Sequence, residues 1–132
     1  MTHVALGVKV DQVVTFGISP ERSGYDSVRS AVLFDRVEQE LKSLPGVSDV
    51  TASLVPLLAG DNWGTDVDVQ GFPSGPDVDN NSRFNEVGAG YFGTLGIKLI
   101  KGREFTDADR KGAGNVAIVN QTFAKKFSWV TI

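Results

Sequence analysis

The chain has 132 residues, 41% of them hydrophobic and 22% charged, with a net charge of −3 and no cysteine. That is enough chain for one core-forming domain, and it excludes disulfides, thiolate metal centres and cysteine nucleophiles. Thirteen basic residues scattered among sixteen acidic ones give no electrostatic footprint for nucleic acid.

The opening, MTHVALGVKV, lacks a long apolar run, and no stretch approaches the ~20 apolar residues of a membrane span. Residues 10–19, VDQVVTFGIS, alternate around Val14, Phe16 and Ile18 and predict a strand. Pro20, Ser23 and Gly24 end it. Tyr25–Leu44 predicts the longest helix. Its apolar stripe is Val28, Val32, Val37, Leu41 and Leu44, widened by Leu33 and Phe34. Asp26 or Ser27 can cap its start, and Glu38 and Lys42 form a favourable one-turn pair. Pro45-Gly46 stops it. Leu41→Asp, which puts a charge in that stripe, is expected to unfold the domain.

Val47–Leu54 predicts a second strand, which gives a βαβ unit with parallel pairing and a right-handed crossover. Residues 65–72, TDVDVQGF, predict a half-buried strand with Val67 and Val69 inward and Asp66 and Asp68 in water. PSGPDVDNNS, 73–82, is a turn-rich loop. Further strands are expected at 84–87, 97–100 and 116–119. Asn120 caps a last helix over 121–127 with Phe123 and Phe127 on one face. The fold class expected is α+β.

Several patterns could carry chemistry. GAGYFG, residues 88–93, is a literal G-x-G-x-x-G. A dinucleotide site needs a strand before that motif and a full helix after it. Here Gly96 and the strand-like Ile97–Ile100 leave room for only about two turns at 3.6 residues per turn, so packing explains it better. In DVDNNS, Asp77, Asp79 and Asn81 fall on the first three ligand positions of a calcium loop. Ser82 and Gly88 stand where that loop needs glycine and glutamate, so a solvated acidic loop is the better account. Asp61, Asp66 and Asp68 could hold a hard cation only if the loop folded back on the strand; alternation puts Asp66 and Asp68 on one exposed face, which is enough to explain them.

The sole histidine, His3, has no partner for a triad or a zinc site. Glu38 and Glu40 lie on a solvated helix face, and Glu104, Asp107 and Asp109 in a polar turn. Ser53 and Ser74 lack a nucleophile-elbow context. Asn80-Asn81-Ser82 and Asn120-Gln121-Thr122 match the glycosylation pattern, a common one. No residue is assigned as catalytic, cofactor-binding or metal-ligating, and no cofactor is implied.

Taken together, LPGV, GYFGTLGI, KGREF and VAIVNQTFAKKF, in this order and spacing, resemble the extracytoplasmic core domain of MacB-like ABC transporter permeases. That group includes the lipoprotein-release and FtsX-type proteins. The similarity covers roughly residues 13–127. It implies one extracytoplasmic domain over 1–132, here a partial ectodomain. A porter-like, ferredoxin-like part would span 10–54 and 115–127, with an intervening lobe at about 60–110.

The resemblance also implies a non-catalytic role at the periplasmic face of the bacterial inner membrane, coupling ATP-driven motion to export or to a periplasmic partner. The implied partners are its own transmembrane helices, an ATP-binding subunit or domain, a second permease copy and a periplasmic adaptor protein. Substrates known in the family include peptides, antibiotics, lipoproteins and cell-wall regulators. Two other readings are a free-standing small-molecule sensor with a ferredoxin-like core, and an enzyme, which would need polar groups converging in a cleft.

Overall fold

The computed structural model describes residues 11–57, 59–110 and 112–128. It mixes helix and strand, an α+β chain, in two compact units. The first is built from 1–52 and 88–105, the second from 53–87 and 106–132.

In the first unit a short 3-10 turn, Pro20–Ser23, leads into helix α1, Ser27–Lys42. Asp26 is the N-cap: its Oδ1 accepts the Arg29 N–H at 2.8 Å, which satisfies one of the donors a helix start leaves unpaired. The Arg29 guanidinium lies 4.3 Å from the Tyr25 ring centre. After Lys42 the chain unwinds through Ser43, and Gly46 takes φ +83°, a left-handed turn glycine adopts without a Cβ clash.

The inward face of α1 differs from the expected stripe. Ser30, Leu33, Phe34, Val37, Glu38 and Leu41 are half-buried, whereas Val28, Val32 and Leu44 are exposed. The reason is the period. The half-buried set advances by threes and fours except for single steps, while the expected stripe contains a five-residue jump from Val32 to Val37 that carries it off one face of a 3.6-residue helix. Within the buried side, Ser30 Oγ has no hydrogen-bond partner. A buried unsatisfied hydroxyl costs about 1–3 kcal/mol, so Ser30→Ala should raise the thermal midpoint slightly, as read by circular dichroism.

The strand expected over 10–19 is described from residue 11 onward, and no ladder forms there. Val14 and Phe16 are 88% and 64% exposed. Val47–Leu54 likewise forms no strand; its one pairing is an antiparallel bridge of Ser53 with Val87. The parallel βαβ pairing is therefore absent among the described residues, and so are ladders at 97–100 and 116–119. Alternation specifies which side chains share a face. It does not supply a neighbouring strand, and a ladder is a property of the pair.

The second unit holds the sheet. Strand β1, Trp63–Asp66, pairs antiparallel with β2, Asn81–Phe84, in the register Trp63 opposite Phe84 and Asp66 opposite Asn81. The ladder thus lies two residues before the expected 65–72 and three before the expected 84–87. Beyond it, Val67 and Val69 are still half-buried while Asp66, Asp68 and Gln70 are exposed, as the alternation requires. Helix α2, Tyr91–Thr94, belongs to the first unit. Helix α3, Gln121–Lys126, belongs to the second and is capped by Asn120, whose Oδ1 accepts the Phe123 N–H at 2.8 Å. Among the described residues the buried apolar ones are Pro20, Tyr91 and Leu95 in the first unit and Val55, Ala124 and Phe127 in the second.

Candidate functional site

The glycine-rich turn at 88–93 is the best-defined polar constellation of the first unit, and the N–H donors of its three glycines are already used. Gly88 N–H donates to Ala52 O at 2.8 Å, and Gly90 N–H to Phe105 O at 3.1 Å. Gly90, at φ +70°, is the N-cap of the four-residue α2. Gly93 N–H, in the first turn of α2, donates to Glu104 Oε2 at 3.0 Å, and the other oxygen of Glu104 accepts the Phe105 N–H at 2.9 Å.

A carboxylate therefore occupies the electropositive helix start where a phosphate would sit. Phosphate there would meet a like charge, and four residues of helix supply little dipole. A Cβ on Gly88 would come within 3.2 Å of Thr51 Oγ1 and 3.3 Å of Ala52 N. A side chain at this position would press on Thr51 and on the Ala52 backbone, which would have to give by a few tenths of an ångström.

Two more contacts pin this turn to 49–51. Thr94 Oγ1 donates to Asp49 Oδ2 at 2.9 Å, and Thr51 Oγ1 donates to Ala89 O at 3.2 Å. Neither Glu104 nor Asp49 was legible in the sequence as a partner of this motif, because each lies many residues away and no local spacing announces the link. Glu104→Ala removes two acceptors from backbone N–H groups. It should cost about 1–2 kcal/mol, as charge-assisted bonds at a helix start do, and Glu104→Gln should cost less; urea midpoints measure both. Tyr91 sits beside this turn, and burial pushes its phenol above the ordinary tyrosine range.

The calcium-loop resemblance resolves into an ion pair. Lys126 Nζ lies 3.1 Å from Asp79 Oδ1 and donates to Asn81 O at 2.7 Å. Asp79 Oδ1 also accepts the Asn81 N–H at 3.2 Å, and Asn81 Nδ2 donates to Asp66 Oδ1 at 3.3 Å. An ammonium group thus stands where the loop pattern would put a cation. Among the described residues no three His, Cys, Asp or Glu side chains are gathered as metal ligands.

The hydrogen bond from Lys126, then the Asn81 N–H and the Lys126 charge, hold the Asp79 carboxyl below its ordinary value. A carboxyl lowered on folding stabilises the fold above its unfolded value, about 3.9, and loses that contribution as pH falls through the folded value. Melting temperatures taken from about pH 6 to about pH 2 should therefore fall slightly more for the wild type than for Asp79→Asn. The effect is small because Asp79 is 78% exposed.

Glu38 is half-buried, not solvated as the helix pattern suggested, and Glu40 is exposed. Asp109 Oδ2 accepts the Thr106 N–H at 2.9 Å, and Asp107 O accepts Arg110 Nε at 2.7 Å, closing a local turn. Ser53 Oγ donates to Val55 O at 3.0 Å. Asn80 Nδ2 donates to Val67 O at 3.2 Å. Asp61, Asp68, Asp77 and Ser74 are exposed, and His3 lies outside the described residues.

No curated protein and no solved structure matches the chain. No helix among the described residues is long and apolar enough to cross a membrane. A family model does match, over residues 4–131: it describes the MacB-like periplasmic core domain, an extracytoplasmic part of ABC transporter-type permeases, and the chain belongs to that family.

Proposed function

We propose that the chain works as a non-catalytic coupling domain. In this reading, ATP-driven motion of the permease reaches it through the transmembrane helices, and it passes that motion to an exported substrate or to a periplasmic partner. The observation that carries the reading is the family match across 4–131, nearly the whole chain. The chemistry of the chain supports it. The one motif with a phosphate-binding spacing has the N–H donors of its three glycines taken by Ala52, Phe105 and Glu104.

This domain has no native cysteine, so once any cysteine elsewhere in the permease is replaced, a label on an introduced one reports on this domain alone. A cysteine placed at the exposed Ser74 in the full-length permease can carry a single environment-sensitive fluorophore. Adding ATP to the membrane-embedded permease should change the label's emission, and a non-hydrolysable analogue should trap one of the two levels. Emission indifferent to nucleotide, in a permease that still hydrolyses ATP, would overturn the coupling role.

A further inference from the structure

Three large apolar side chains stand together in water on the β1–β2 lobe. Trp63 is directly opposite Phe84, with ring centres 6.2 Å apart in an edge-to-face arrangement. The Leu54 N–H donates to Glu86 O at 2.8 Å, and the adjoining residues Ser53 and Val87 form an antiparallel bridge. Leu54 therefore stands opposite Glu86. Directly opposed residues share a face of a sheet, and alternate positions along a strand return to that face. Phe84, the last residue of β2, and Glu86 are alternate positions, and continuing the strand's alternation to the Ser53–Val87 bridge assigns Leu54, Trp63, Phe84 and Glu86 to one face. The apolar three are 48%, 51% and 40% exposed. A cluster anchored by an aromatic pair in this state has the composition of an interface centre.

Charge identifies the occupant. Between Ser53 and Val87 lie six carboxylates and one arginine, Arg83; Lys126 neutralises one of the six, Asp79, and five remain against Arg83. Glu86 lies on the apolar face itself, and the exposed Asp61 precedes Trp63 by two residues. A second copy would bring the same negative charge against this face, and an anionic lipid surface would be repelled in the same way. We propose that the Leu54–Trp63–Phe84 face docks a basic protein segment whose apolar side chains cover the aromatic pair while its cations meet Asp61 and Glu86. The inference does not depend on ATP-driven coupling. The face can bind such a segment in a domain that transmits no motion, and the nucleotide test above can succeed where this one fails.

The test titrates the full chain with a twelve-residue peptide of alternating lysine and leucine, by calorimetry. Saturable one-to-one binding should appear, and it should weaken as salt rises. Trp63→Ser should raise Kd about tenfold or more, in the range of an interface centre. Leu54→Ser, at an exposed position that leaves the ladder intact, provides the same comparison if Trp63→Ser fails to fold. Asp61→Asn combined with Glu86→Gln should weaken binding and flatten its salt dependence. Any of four results overturns the proposal: no binding of the lysine–leucine peptide, equal binding of a glutamate–leucine peptide, unchanged Kd in Leu54→Ser, or self-association or phosphatidylglycerol-vesicle binding that Leu54→Ser abolishes while peptide binding persists.

Discussion

Phe127→Ala is expected to produce the largest loss of stability of any single truncation in the second unit. Phe127 is 3% exposed. Its ring meets Phe72 edge-on at 4.8 Å and Phe123 at 4.6 Å, so it joins the end of α3 to the turn that follows Val69. Removing a buried phenyl loses its transfer free energy and leaves a cavity, about 3–5 kcal/mol in total. Against a net stability of about 5–15 kcal/mol, that is a lowering of the thermal midpoint by roughly 10–20 °C. Phe127→Leu, which keeps most of the volume, should cost about 1.5 kcal/mol or less. A calorimetric midpoint for Phe127→Ala within two or three degrees of the parent would show that the aromatic cluster does not hold the unit together.

In the first unit the comparable position is Leu95, 5% exposed and hydrogen-bonded through its N–H to Tyr91 O at 3.1 Å. Leu95→Asp places a carboxylate with no cationic partner in the best-buried part of that unit. The cost is several kcal/mol, at the diagnostic end of single-site effects, and the unit should be unfolded in far-UV circular dichroism at room temperature. Leu41→Asp, which the helix pattern alone singles out, is expected to be milder, about 1–2 kcal/mol. Leu41 is only half-buried, and a carboxylate there can turn toward water. Urea midpoints of the two variants give the order directly. A Leu41→Asp midpoint below that of Leu95→Asp would reverse the assignment of the core.

The features that were legible in the residues are those decided within a few positions. Asp26 and Asn120 cap the helices they were expected to cap, because a side-chain acceptor three residues before a backbone donor needs no other part of the chain. Pro45-Gly46 stops α1 for the same reason. The wet and dry sides of 65–70 also follow from alternation alone. What could not be read is which segments pair. Val14, Phe16 and Ile18 alternate as cleanly as Val67 and Val69, yet only the latter adjoin a ladder. The β1–β2 register depends on where a long loop returns. For the glycine turn, the short helix and the packing role were visible from Gly96 and Ile97–Ile100. Its carboxylate, Glu104, was not, since it arrives from a separate turn.

The interleaved make-up of the two units bears on biogenesis. The first unit consists of 1–52 and 88–105; in the sequence, 53–87 of the second falls between these pieces and 106–132 after them. During synthesis at about 5–20 residues per second, the N-terminal piece waits roughly 3–10 s after Ala52 is made for the segment that completes it. Throughout that interval Asp49, Thr51 and Ala52 are on the nascent chain without Thr94, Ala89 and Gly88, the residues they hydrogen-bond in the finished unit. A ribosome-bound intermediate with these bonds unmade is therefore intrinsic to this topology, and holdase chaperones have a defined window in which to act.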